Sequence, residues 1–126
     1  MAKRKHRKHY NPSYLLEAVS RLPNPLFDKK RNLHIRIEGR ARSNQTRAEH
    51  IVEFGHNLKV RDIELIPDGI NKCLFYKKDP RHKRTYNYYL KRKGEDRGMV
   101  KVSIMISQID PTKAWVKTIF VAYKVK

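Results

Sequence analysis

Acidic residues are scarce in this chain: 12 Asp and Glu stand against 30 Lys and Arg in 126 residues, leaving a net charge of +18. So large an excess repels itself and points to a polyanionic partner. Nucleic acid is the usual one, because each neutralised phosphate releases a counterion and so favours binding. An anionic membrane surface is the rival, but no long amphipathic basic helix with a wide apolar face is offered to it. Cysteine is almost missing too. The lone Cys73 excludes an intrachain disulfide and a Cys-rich zinc site, and it fits a reducing, cytoplasmic setting. Long apolar runs are also lacking. The basic start "MAKRKHRKHY" leads into "SYLLEAVSRL", which Glu17 and Arg21 interrupt, so neither a signal peptide nor a membrane span is expected. No Ser–His–Asp pattern, Gly-rich phosphate loop, internal repeat or low-complexity linker occurs.

What is present organises as one domain. Residues 1–9 read as a mobile basic arm, and residues 10–126 as a single compact unit. "NPSYLLEAVSRLPNP" is punctuated as a helix, with Asn11 to cap it, Pro12 in the first turn and Pro23 and Pro25 to end it. "LHIRIEG" alternates Leu33, Ile35 and Ile37 with His34, Arg36 and Glu38, as a short strand or extended arm does. "ARSNQTRAEHIVEFG" is the strongest helical stretch. Thr46 and Glu49 stand at capping-box spacing, Ser43 or Asn44 is an alternative cap, Ala48, Ile51 and Val52 form the stripe, and Gly55 is a stop. "LKVRDIELIPDGI" is a shorter helical turn ended by Pro67 and Gly69.

After residue 72 the texture changes to strands: "CLFYK", "RTYNYYLK", "MVKVSIMIS" and "AWVKTIFVAYKV". Asp79-Pro80, "KGEDRG" and Asp110-Pro111 supply the turns. The expectation is therefore an α+β fold, with N-terminal helices packed on one face of a four-stranded antiparallel meander. Alternation assigns Val100, Val102, Ile104 and Ile106 to the core, with Ile119 and Val121 opposite them and Trp115 and Tyr123 in phase. Tyr86, Tyr88 and Leu90 read as buried. Lys101, Ser103, Met105, Thr85, Asn87, Tyr89, Lys91, Val116, Thr118, Phe120 and Lys124 fall on the open face. Such a face, polar with a few rings, suits RNA, whose phosphates take cations and whose splayed bases stack on aromatics. A plain solvated sheet face is the alternative. The loop "KKDPRHKR" concentrates Lys77, Lys78, Arg81, Lys83 and Arg84 with His82, where phosphate contacts would position a partner without reading its sequence.

The histidines of "RAEHIVEFGH" raise the question of chemistry. Six residues advance a helix by roughly 600°, so His50 and His56 point about 120° apart. That is unlike the i,i+4 pair of a zinc helix, and no further ligands stand near, so no metal and no cofactor is expected. General acid–base work suits His50 better, since imidazole titrates near neutrality and this residue borders the apolar stripe. His56, just past the helix end, could make a phosphate contact. A pair of semi-exposed histidines without a duty is the simpler alternative. Cys73, ahead of an apolar strand, reads as a small core residue.

In order, "EHIVEFGHN", "LKVRDIELIPDGI", "RTYNYYLKRK", "MVKVSIMIS" and "KTIFVAYKVK" resemble the phage-associated branch of the barnase–EndoU–colicin–RelE-like nucleases over about residues 45–126. The resemblance implies a small toxin-type or mobile-element ribonuclease that cleaves RNA without metal. A base activates the ribose 2′-hydroxyl, cations stabilise the pentacoordinate phosphate and an acid protonates the leaving oxygen. Carried onto this chain, His50 matches the helical base or acid, Arg84 and Lys101 the phosphate-holding cations, and Thr118 the polar residue of the last strand. Tyr123 matches the family's last-strand aromatic, although its odd separation from Thr118 sends it to the other face of a regular strand. RNA is favoured over DNA as the partner, and an acidic inhibitor or immunity protein would fit such a nuclease as a second one. A non-catalytic nucleic-acid-binding protein of the same fold is the alternative, and a ribosome-associated or structural RNA-binding protein is a third reading.

Overall fold

The computed structural model of the chain describes residues 13–37, 40–42, 45–46, 51, 57–94 and 97–125. Helix α1 (Ser13–Ser20) buries Leu15, Ala18 and Val19, the i, i+3, i+4 stripe that its sequence carries. The arm 1–9 and the expected cap at Asn11 and Pro12 lie outside the described residues. Two short helices follow later, α2 (Val60–Glu64) and α3 (Ile66–Ile70). Pro67, expected to end that run, instead sits in the first turn of α3, where its missing N–H leaves no bond unmade. Gly69 stays inside α3 because the helix presses on the sheet: a Cβ there would meet Leu90 Cδ1 at 3.0 Å. Helices this short are marginal alone. Ile63, Ile66 and Ile70 are fully buried, and such burial contributes roughly 1.5–3 kcal/mol per side chain.

The strands are β1 (Leu26–Asp28), β2 (Leu33–Arg36), β3 (Arg40–Arg42), β4 (Gln45–Thr46), β5 (Phe75–Lys78), β6 (Thr85–Lys91), β7 (Met99–Ile106) and β8 (Lys113–Ala122). β3 and β4 pair as a separate ribbon, with Thr46 as the last residue of β4, and the cap expected from Thr46 and Glu49 lies outside the described residues. Of the helix expected after it, only Ile51 is described, helical and fully buried.

The expected four-stranded antiparallel sheet is corrected to a six-stranded mixed one, ordered β1-β2-β8-β7-β6-β5 and curled as a half-barrel. β5 to β8 do run antiparallel in chain order. The difference comes from "LHIRIEG" and the residues before it. The long β8 leaves an edge beyond β7, and β2 takes it in parallel, His34 to Arg36 against Lys113 to Trp115. There the fully buried Ile35 meets Ala114, which is the apolar reason for the pairing. β1 then adds antiparallel, Leu26 beside Ile35.

The core lies between the helices and one face of this sheet, joining Leu15, Val19, Ile63, Ile66 and Ile70 to Ile35, Tyr88, Leu90, Val100, Val102, Ile104 and Ile119. Two acid–arginine anchors secure it. Asp62, fully buried in α2, receives Arg92 Nε at 3.0 Å and Arg92 Nη2 at 2.7 Å, while its Oδ2 also accepts the Lys59 N–H at 2.9 Å. Asp28, fully buried at the end of β1, accepts the Tyr88 hydroxyl at 2.6 Å and Arg31 Nη1 at 3.0 Å. Burial and the Asp28 charge both push the Tyr88 hydroxyl well above its ordinary pKa. The Arg31 guanidinium lies 3.9 Å over the Tyr76 ring, whose hydroxyl is pushed up by burial to about 12 despite that neighbouring cation. Among the described residues no helix is long and apolar enough to cross a membrane.

Candidate nucleic-acid interface

The face of the sheet away from the core carries the candidate site. A bulge in β8 decides which side chains reach it. Ser103 pairs with Thr118, but Ile104 pairs with Val116, so Lys117 is the extra residue. Alternation resets there. Val116 and Ala114 turn into the core, and Trp115 turns out to a half-buried position. The alternation read from sequence had Val116 outward and Trp115 inward, because a strictly period-2 strand has no room for one extra residue. The bulge leaves Trp115, Lys117, Thr118 and Phe120 on the outer side together.

Registered pairing sets out this face in rows. Phe75, Tyr89, Lys101 and Phe120 align across β5, β6, β7 and β8; Lys77, Asn87, Ser103 and Thr118 form the next row. Beyond them Met105, Trp115 and Arg36 align, and then Lys113, His34 and Phe27. Lys101 Nζ lies 5.1 Å from the Phe120 ring centroid and 5.7 Å from that of Tyr89, a cation held by two rings. Phe75 packs edge-on to Tyr89 at 6.4 Å, and Phe27 stacks on His34 at 4.7 Å.

In the middle row the face is polar yet buried. Ser103 Oγ donates to Asn87 Oδ1 at 2.5 Å, and Asn87 Nδ2 donates to Asp79 Oδ2 at 3.2 Å. Asp79 also accepts the backbone N–H groups of Arg81 (2.8 Å) and His82 (3.1 Å), and His82 Nδ1 lies 3.1 Å away. Desolvation opposes its charge, but the bonds from Arg81, Asn87 and His82 outweigh that and hold its pKa well below the ordinary carboxylate range. Lys117 Nζ reaches the Thr85 hydroxyl at 3.3 Å. The loop following β5 is thus tied through Asp79 and Asn87 to the centre of the face.

Several expected site residues fall here and others do not. Lys101 and Thr118 share the outer face as neighbours on β7 and β8. Phe120 is half-buried beside Lys101, and Lys77 is exposed opposite Asn87. Arg81, His82 and Lys83 are exposed on the loop. Lys78 turns the other way, 5.9 Å from the Tyr86 ring. Tyr89, Thr85 and Asn87, expected open, are buried, so the Tyr89 ring supports Lys101 and Phe75 from beneath rather than meeting a ligand.

Arg84 does not join Lys101. Its backbone is left-handed, φ 54°, and its guanidinium donates to the Ile106 carbonyl at 3.2 Å. Lys101 is five residues further along β7, roughly 16 Å of strand. Tyr123, expected in phase with the core, is 60% exposed just past β8, where its hydroxyl accepts from Asn57 Nδ2 at 3.3 Å. Gly98, at φ +85°, lets the chain turn against that corner; a Cβ there would lie 2.9 Å from Val121 Cγ1. Lys91 lines a shallow cleft of about 540 Å³ with Leu65, Lys72 and Leu74. His50 and His56 lie outside the described residues. Sequence reasoning missed Trp115, Lys117, His34 and Arg36 for this face; only the alternation of "LHIRIEG" signalled the last two.

Among the described residues no three His, Cys, Asp or Glu side chains gather to hold a metal ion. No family model, curated protein or solved structure matches the chain.

Proposed function

We propose that this protein binds nucleic acid, RNA in preference to DNA, with the outer face of its sheet and the adjoining loop of residues 79–84. One observation carries the reading. Lys101 and Lys117 lean on rings and a hydroxyl, with no carboxylate paired to either among the described residues, while Asp28 and Asp62 are buried on the other side. Lys101 and Lys117 are thus left for an external anion. The Asp79 bonds hold Arg81 and His82 at the rim, with the exposed Lys83 next in the chain, where phosphate contacts set register.

Cleavage is the second reading, and the shared placement of Lys101 and Thr118 favours it. Lys101 would neutralise the charge growing on the phosphate, and the Thr118 hydroxyl would donate to its oxygen. His50 remains the proposed base or acid. Arg84 is withdrawn from the phosphate-holding role, because its guanidinium is engaged at the far end of β7.

The test is incubation with labelled RNA in excess chelator, followed by retention and product-end measurements. Retention that weakens steeply with salt supports binding. Ends carrying a 2′,3′-cyclic phosphate, lost in His50→Ala, would establish cleavage as well. Absence of RNA retention at low salt sinks the proposal.

A further inference from the structure

We infer that the nucleic acid taken by this face is single-stranded, with bases laid against Phe120 and Trp115 and phosphates drawn to Lys101 and Lys117. This rests on the nucleic-acid reading above and narrows it to a strand class. Phe120 and Trp115 are half-buried, four pairing positions apart along β7, with Lys117 and Thr118 between them on β8. Lys101 stands over Phe120 from the neighbouring strand. The face therefore alternates ring and cation, as a strand of alternating base and phosphate requires.

A duplex fits this arrangement poorly. Its bases are stacked inward, so it offers only a wall of phosphates to rings that are half-buried in a sheet. Major-groove reading needs a projecting helix or two-stranded ribbon. The helices α1, α2 and α3 pack on the opposite face, within the core cluster, and the short ribbon β3–β4 forms a separate sheet that is no part of this face. A splayed single strand, by contrast, can place a base on each ring while its backbone follows the lysines. Charge complementarity supports that occupant over an apolar one, given the net charge of +18.

Trp115 is the chain's only tryptophan, so its fluorescence reports on this face without substitution. The intact protein is titrated at low salt with an oligouridylate of about ten nucleotides, within the site sizes of single-strand binders, and with an A·U duplex of equal length. The single strand is expected to bind at least about tenfold more tightly, the equivalent of one well-stacked base, and to quench Trp115 over the same concentration range. Phe120→Leu keeps an apolar side chain, smaller than the original, but removes the ring, and should weaken single-strand binding roughly 5- to 150-fold with little change for the duplex. Should that variant fail to fold, quenching in the unaltered protein decides. Equal or tighter duplex binding, or saturation without a change in Trp115 emission, overturns the inference and leaves the nucleic-acid reading intact. Binding of neither probe overturns both.

Discussion

The two faces of the sheet handle charge in opposite ways. On the core side each buried arginine–acid contact is closed: Arg92 chelates Asp62 with two nitrogens, and Arg31 shares Asp28 with the Tyr88 hydroxyl. On the outer side, Lys101 sits over two rings and Lys117 on a hydroxyl. A charge removed from water must be paired, or it costs more than the fold can bear. A charge left near water needs no partner and stays available. The closed pairs hold the molecule together, and Lys101 and Lys117 are the outer-side cations left to meet a ligand.

The largest effect should come from breaking the paired side. Arg92→Met leaves Asp62 buried without its guanidinium, and also removes donors from the Arg97 and Asn57 carbonyls. Loss of a partner from such a pair costs about 3–5 kcal/mol, which urea denaturation would register as a lower midpoint. The double variant Asp62→Leu with Arg92→Met should recover much of that loss, because the stranded charge is gone. A single variant as stable as the parent would refute the anchoring role.

Asp79 lies where the two treatments meet, a carboxylate on the outer side that serves the loop. Its pKa is depressed in the folded chain, so its contribution is fully present above the unfolded carboxylate value and is lost as pH falls through the folded one. Asp79→Ala should cost roughly 1–2 kcal/mol at neutral pH, since it deletes bonds to a charged acceptor at a partly exposed site. The gap between variant and parent, followed by thermal denaturation, should narrow as pH drops below about 4. A gap that stays constant with pH would show that the carboxylate charge does not matter.

Much of this contrast was legible before the structure, but unevenly. The core residues of β7 were readable because Val100, Val102 and Ile104 alternate without interruption. β8 misled because an added Lys117 shifts the phase, and nothing in "AWVKTIF" marks a bulge in the way a glycine would. β1 was invisible: a strand of three residues has too few positions to show a period, and the burial of its Asp28 depends on the distant Tyr88 and on Arg31 closing on it. The parallel join of β2 to β8 is a long-range choice that no local pattern encodes. Tyr89 was placed on the correct face by alternation, but its burial depends on neighbours from other strands. Positions on the face were thus partly readable, whereas their accessibility depended on tertiary packing.

The smallest effect on stability should come from Lys101, at the centre of the outer side. Lys101 has no carboxylate partner among the described residues, and its contacts are two ring faces at 5.1 and 5.7 Å. Lys101→Gln therefore removes about 0.5–1 kcal/mol at most, the worth of an accessible cation–ring contact. Its effect on a bound polyanion is a different quantity. One phosphate contact fewer should flatten the dependence of log affinity on log salt by about 0.7 for a single strand, measured by repeating the oligouridylate titration across ionic strengths. A fold left nearly unchanged together with a flatter salt dependence is the signature of a charge kept for a ligand. If the variant instead lost several kcal/mol of stability with the salt slope unchanged, Lys101 would belong with Arg92 as a structural cation, and the distinction between the two faces would fail at its central residue.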